Sequence, residues 1–143
     1  MNIFIVEDDD LDVEILERGL RKVSSTANLT RARDGIEALD ILTRDAVERT
    51  LPRPFFILLD INMPRMNGHE LLAKIRASDN LKDSRVFVFT TSANQADIDR
   101  AYSNNANGYI VKPNGSSGLT EVLSLLDRFW NVCEHPAGQP ALM

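Results

Sequence analysis

Cysteine is nearly absent from this sequence, since Cys133 is the only one among 143 residues. A single cysteine excludes an intramolecular disulfide and has no partner for a cysteine-type zinc site. Basic runs are missing too, and the formal net charge of −5 argues against a nucleic-acid-binding surface. These shortages predict a protein of a reducing compartment that has no nucleic-acid partner.

Long hydrophobic runs and a secretion signal are also missing. No apolar run approaches the ~18 residues of a membrane span. The N-terminal segment MNIFIVEDDD lacks a positively charged start and turns acidic at residue 7, unlike a signal peptide. We therefore expect a cytoplasmic protein with no membrane partner.

The sequence does contain a regular alternation of short apolar runs and helix-like stretches. Continuous apolar runs predict four strands with both faces buried, at 2–6, 55–59, 85–90 and 108–112, and a weaker edge strand at 28–34. Helical spacing of apolar residues predicts helices after each strand: one that includes residues 11–20, then 34–50, 68–78, 92–105 and 116–133.

Five successive β-α units predict an α/β fold with a doubly wound parallel sheet of five strands. The flavodoxin-like form of this fold has strand order 2-1-3-4-5. Residues 1–133 are assigned to this single domain. Residues 134–143 carry two prolines and a glycine and are expected to form a flexible C-terminal tail.

Acidic and polar residues stand where the predicted strands end. Strand one is followed by Glu7 and Asp8, strand three by Asp60 and strand five by Lys112, and strand four ends in Thr90. Ligands of such sheets bind at the carboxyl ends of the strands, so these side chains should converge. Close carboxylates repel unless a cation intervenes, and Mg²⁺ prefers oxygen ligands. The constellation predicts phosphoryl transfer, with Asp60 as the nucleophile.

Other candidate residues have simpler interpretations. Asp9 and Asp10 are interpreted as a helix cap and a first-turn acid favoured by the helix dipole. His69 is interpreted as a surface or capping histidine, His135 as a solvated tail residue and Cys133 as a packing residue.

Four segments on these strand ends carry a resemblance to a known family. In order they read IFIVEDD, LLDINMPRMNG, VFVFTTS and GYIVKP, and together they resemble the receiver domain of two-component response regulators over residues 2–130. The resemblance implies a CheY-like fold and a stand-alone response regulator that accepts a phosphoryl group from a histidine kinase. It also implies a switch that assists its own phosphorylation and dephosphorylation, not an enzyme.

The resemblance further implies a role for each matching residue. Asp60 is the expected phosphoacceptor. The implied Mg²⁺ site uses Asp8 and Asp60 directly, Glu7 through a water molecule and Asn62 through its backbone carbonyl.

The resemblance makes Thr90 and Tyr109 the switch pair and Lys112 the lysine of the site. It also predicts a cis peptide bond before Pro113, a bond type with a low cis penalty. Loop lengths and the segments VEDDDLDVEILERGL and TTSANQADIDRAY are similar to stand-alone receivers that partner bacterial phytochrome kinases. A bacteriophytochrome is therefore the histidine kinase that the resemblance implies.

The last predicted helix has more apolar surface than packing on one sheet face needs. Leu125, Phe129 and Val132 form a second apolar stripe beside the first. Exposed apolar patches usually mark an interface, so we predict a two-fold homodimer through the fifth helix and the strand-five region. In the alternative, the tail folds back over Leu125 and Phe129.

Two other functional classes were considered against the same residues. A phosphatase or hydrolase of this fold usually has a second acid two residues after the nucleophile, where this chain has Asn62. A flavodoxin-like cofactor binder needs a phosphate-cradling loop after strand one, and EDDD there would repel a phosphate.

Overall fold

The computed structural model describes residues 1–136, in which five β-strands alternate with five α-helices. The elements are β1 Asn2–Val6, α1 Asp10–Val23, β2 Asn28–Ala32, α2 Gly35–Glu48, β3 Phe56–Leu59, α3 Gly68–Ala77, β4 Arg85–Thr90, α4 Gln95–Ser103, β5 Gly108–Val111 and α5 Ser116–Val132. No helix in this part of the chain is long and apolar enough to cross a bilayer.

All strand pairs are parallel, and the sheet order is β2-β1-β3-β4-β5. The order confirms the predicted α/β fold. Strand β3 is central, and its alternate residues enter the two cores on opposite faces of the sheet. Ile57 and Leu59 pack in the core under α2 and α3, whereas Phe56 and Leu58 pack in the core under α1 and α5. Burial on both faces explains why this strand is apolar without interruption.

Polar side chains define where four of the helices begin. Asp9 caps α1, since its carboxylate accepts from the backbone N–H groups of Leu11 and Asp12 at 2.9 and 3.2 Å. Asp34, Asn67 and Asn94 cap α2, α3 and α4 in the same way. Helix α5 differs, because Gly115 stands at its N-cap and provides no side-chain bond. The capping interpretation of Asp9 is thereby confirmed.

Two sequence-based expectations are wrong in this part of the fold. Within residues 1–136 the cis peptide bond precedes Pro54, so the bond before Pro113 has the trans form that proline peptides favour. His135 is half-buried, not solvated, because its Nε2 lies 2.8 Å from the Trp130 carbonyl oxygen and its ring packs on Phe56. Most of the predicted tail, residues 137–143, lies outside the described residues.

Candidate functional site

The carboxyl ends of β1 and β3 lie side by side at the centre of the sheet. Val6 pairs with Leu59, and the N–H of Asp60 donates to the carbonyl of Val6 at 3.1 Å. The first residue of α3, Gly68, packs directly against the backbone after β3, where a Cβ would stand 2.7 Å from the Cα of Ile61. Glycine at this position lets α3 begin close beneath the end of β3, which fixes the backbone around Asp60.

Three carboxylates converge at this edge, as the sequence predicts. Glu7, Asp8 and Asp60 each offer an oxygen atom, and these atoms lie within 4.8 Å of one another. Glu7 and Asp60 are buried, whereas Asp8 is exposed to solvent. Carboxylate oxygens are the donors that hard divalent cations prefer. The cluster is therefore suited to a divalent metal ion.

Lys112 reaches the cluster from the end of β5. Its Nζ lies 2.7 Å from Glu7, 2.9 Å from Asp12 and 3.6 Å from Asp60. The predicted pair with Asp60 is present, but it is the longest of the three contacts. The contact with Asp12 has no local signal in the sequence, since the two residues are 100 positions apart.

The ionisation of the site follows from burial and from these contacts. Burial raises the pKa of Glu7 to about 7, and the hydrogen bond from Lys112 offsets this effect only in part. Burial alone would lower the pKa of Lys112, but the hydrogen bonds to Glu7 and Asp12 and the charge of Asp60 outweigh it and raise that pKa. Lys112 therefore stays charged, and the acids still lack part of the positive charge they need.

Asn62 lies beside the acid cluster, two residues after Asp60. Its backbone N–H donates to Oδ1 of Asp60 at 3.2 Å, and its side chain is exposed. The position that a hydrolase of this fold would fill with an acid thus holds an amide.

Thr90 and Tyr109 face the loop that joins β4 to α4. Thr90 is fully buried, and its Oγ1 accepts from the Ser92 backbone N–H at 3.4 Å. The Tyr109 hydroxyl donates to the Ser92 carbonyl at 2.9 Å, and burial raises the pKa of that hydroxyl. The predicted switch pair is therefore connected through the backbone of one residue.

A buried histidine extends this connection to α3. The His69 side chain is 5% exposed, and its Nε2 lies 3.0 Å from Oδ1 of Asp97. Asp97 also accepts from the Ser92 hydroxyl at 2.7 Å, and the Ser92 and His69 bonds hold the pKa of Asp97 below its usual range. The surface or capping interpretation of His69 is wrong, because Asn67 caps α3 and the buried His69 ring contacts Asp97 of α4.

The two apolar stripes of α5 have different surroundings. Leu119, Leu123 and Leu126, from the first stripe, are buried against the sheet. In the second stripe Leu125, Phe129 and Val132 are 59%, 42% and 82% exposed. The Phe129 ring centroid nevertheless lies 5.8 Å from that of Phe56, so this residue also contributes to the core.

Comparisons with known proteins give a consistent result. The family model described as response regulator receiver domain matches residues 3–124. The chain is 35% identical to the probable methanogenesis regulatory protein FilR2 of Methanothrix harundinacea, over 90% of this chain and 82% of that protein.

Two solved structures share both the fold and a third of the sequence. The phosphorylated cyanobacterial phytochrome response regulator RcpA superposes with a TM-score of 0.84 at 33% identity, covering 95% of this chain and 98% of that one. The Mn²⁺-bound form of response regulator Rcp1 gives a TM-score of 0.79 at 33% identity, covering 95% and 99%. Rcp1 from Synechocystis is also a sequence relative, over 90% of this chain and 87% of that protein. These matches, together with the acid cluster and the sheet order, show that the chain belongs to the response regulator receiver domain family.

Proposed function

We propose that this protein is a phosphorylation-dependent signalling switch in which Asp60 accepts a phosphoryl group from a histidine kinase. The observation that carries the proposal is the position of Asp60, buried between Glu7, Asp8 and Lys112 at the end of β3. A carboxylate oxygen of Asp60 forms a new bond to phosphorus while the bond from phosphorus to the histidine nitrogen of the kinase breaks. The product is an aspartyl phosphate.

Magnesium is the divalent ion we assign to the acid cluster. Both oxygens of Glu7 already accept hydrogen bonds, from the Asp9 N–H at 3.1 Å and from Lys112 at 2.7 Å. This arrangement favours contact between Glu7 and the ion through water, with Asp8, Asp60 and the Asn62 carbonyl as direct ligands. When bound, the ion neutralises charge on the transferring phosphoryl oxygens. Lys112, whose Nζ lies 3.6 Å from Asp60, provides a second positive charge.

The same groups support removal of the phosphoryl group by water, so the switch assists both its phosphorylation and its dephosphorylation. Asn62 stands where a hydrolase has its second acid. This difference favours a phosphorylated state that persists, rather than the catalytic turnover of a substrate.

The conformational response is assigned to Thr90 and Tyr109. A phosphoryl group adds about −1.5 to −2 charge and new acceptor oxygens beside Thr90. The Thr90 hydroxyl then donates to the phosphoryl group and gives up its bond to the Ser92 N–H. Since Tyr109 is bonded to the same residue, the loop after β4 and the side chain of Tyr109 move together.

A bacteriophytochrome is the kinase partner we propose. The likeness to RcpA, described as a cyanobacterial phytochrome response regulator, supports it. The chain is similar in sequence to FilR2 to a comparable degree. This similarity supports a histidine kinase with a different input signal as the competing candidate.

Asp60→Asn should abolish phosphorylation, because it keeps the size of the side chain and removes the nucleophile. We expect wild type to be labelled both by acetyl phosphate with Mg²⁺ and by a bacteriophytochrome kinase, and the variant by neither, as measured by intact mass. Labelling of the variant at the wild-type rate would overturn the assignment of Asp60 as the phosphoacceptor. Labelling of wild type by acetyl phosphate alone would overturn only the phytochrome partner.

Asp8→Asn should weaken Mg²⁺ binding, because it removes the exposed carboxylate of the cluster. An ion at about 100 times its dissociation constant stabilises the native state by about 2.7 kcal/mol. We expect Mg²⁺ to raise the thermal midpoint of wild type and to have little effect on this variant. Asp40→Asn, an exposed acid on α2 paired with Arg44, is the control and should respond like wild type. An equal response of Asp8→Asn would exclude Asp8 as a ligand.

Thr90→Ala should separate phosphorylation from the conformational response, because it removes the hydroxyl that bonds the phosphoryl group. The variant should be labelled by acetyl phosphate, but its Tyr109 and Ser92 amide NMR signals should not shift as in phosphorylated wild type. Thr90→Ser retains the hydroxyl and should restore the shifts. The assignment fails if Thr90→Ala reproduces the complete wild-type pattern.

A homodimer through α5 and β5 is the second partner we propose. Leu125 and Val132 are exposed on α5, and Val111 is 42% exposed on β5, which is an edge strand of the sheet. Between α5 and β5 lies an apolar groove of about 240 Å³ that includes Ile110 and Phe129. A second copy would cover both the apolar surface and the open edge.

Leu125→Glu should disrupt this dimer without unfolding the protein, because Leu125 is 59% exposed. Phe129 is less suitable for this test, since its ring packs on Phe56. Light scattering at tens of micromolar should find a wild-type dimer and a monomeric variant that is still phosphorylated. Val47→Glu changes a similarly exposed residue on α2 and should remain dimeric. Monomeric wild type in both phosphorylation states would rule out the dimer.

A further inference from the structure

Lys112 is held by two carboxylates besides the phosphoacceptor. Its ammonium group can donate three hydrogen bonds. One is made to Glu7 at 2.7 Å and one to Asp12 at 2.9 Å, while Asp60 lies 3.6 Å away, beyond hydrogen-bonding distance. The lysine that is expected to bind the phosphoryl group is thus hydrogen-bonded to Glu7 and Asp12 instead of Asp60.

Asp12 lies in the first turn of α1 and does not belong to the cluster that can hold a metal ion. Its side chain is 40% exposed, and its carboxylate lies 2.9 Å from Nζ of Lys112. The fold brings these residues together because α1 and α5 lie on the same face of the sheet, and Lys112 precedes α5.

Lys112 has a third donor, but at 3.6 Å from Asp60 its ammonium group has to move to bond a phosphoryl group there, and this movement weakens one of its two present bonds. The Glu7 side chain is 3% exposed and also accepts from the Asp9 N–H, so releasing it would leave a buried carboxylate without its cation. Asp12 is far more exposed, and water can replace the lysine at its carboxylate. The bond to Asp12 is therefore the one that breaks when Lys112 turns to a phosphoryl group.

We propose that Asp12 is a positioning residue that holds Lys112 away from Asp60 in the unphosphorylated state and so sets how readily the site accepts a phosphoryl group. This inference rests on the proposed function of Asp60. It predicts that the strength of the bond between Asp12 and Lys112 opposes phosphorylation, since that bond exists in only one of the two states.

Affinity for beryllofluoride, a phosphoryl mimic that binds the Asp60 carboxylate, measures this opposition directly. With every protein saturated with Mg²⁺, Asp12→Asn should bind beryllofluoride about three- to fivefold more tightly than wild type, as the loss of one partly exposed charge pair predicts. Asp12→Glu keeps the charge within reach of Lys112 and should return the affinity towards the wild-type value. Asp12→Ser replaces Asp12→Asn if that variant does not fold.

Asp10→Asn is the matched control. It removes one acid from the same turn of α1, but its carboxylate contacts Arg31 at 2.5 Å and Arg33 at 3.0 Å instead of Lys112. This variant should change the affinity less than twofold, which separates release of the lysine from a general loss of negative charge. The Mg²⁺ affinities of Asp10→Asn and Asp12→Asn, measured without beryllofluoride, should agree.

The inference is wrong if Asp12→Asn binds beryllofluoride no more tightly than Asp10→Asn, or more weakly than wild type. That result leaves the proposed function intact, provided that wild type binds and Asp60→Asn does not. If wild type itself fails to bind beryllofluoride with Mg²⁺, the proposed function fails and the role of Asp12 fails with it.

Discussion

Repulsion among Glu7, Asp8 and Asp60 is the constraint on which the rest of the site depends. Three carboxylates with oxygens within 4.8 Å of one another at a partly buried edge need positive charge nearby. Lys112 supplies part of it, but burial, together with the charge of Asp60, still raises the pKa of Glu7 to about 7. The site therefore favours ligands that bring positive charge, in keeping with the divalent ion proposed for it.

The apolar strand beneath this cluster is what keeps the acids close in spite of their repulsion. Residues Phe56–Leu59 are completely buried, and alternate side chains pack on opposite faces of the sheet. Each fully buried side chain of this size contributes ~1.5–3 kcal/mol to folding. The register between β3 and β1 then fixes the position of Glu7 relative to Asp60.

Sequence reasoning recovers the fold and the residues of the acid cluster because both depend on local patterns. Continuous apolar runs predict buried parallel strands, and parallel strands deliver their last residues to one edge. The contacts that were missed join residues far apart in the sequence: Asp12 with Lys112, and His69 with Asp97. The burial of His69 could not be predicted, since it depends on how α3 packs on α4 and not on the turn in which the residue lies.

Helix α5 begins four residues after Lys112 and has seventeen residues, from Ser116 to Val132. At 1.5 Å per residue it is about 25 Å long, and its exposed apolar residues lie in the half remote from the acid cluster. Gly115 leaves its first turn without a side-chain cap. With its first turn uncapped, α5 is anchored by the packing of Leu119, Leu123 and Leu126 on the sheet. Any coupling between Lys112 and the exposed residues of α5 therefore has to pass through that packing.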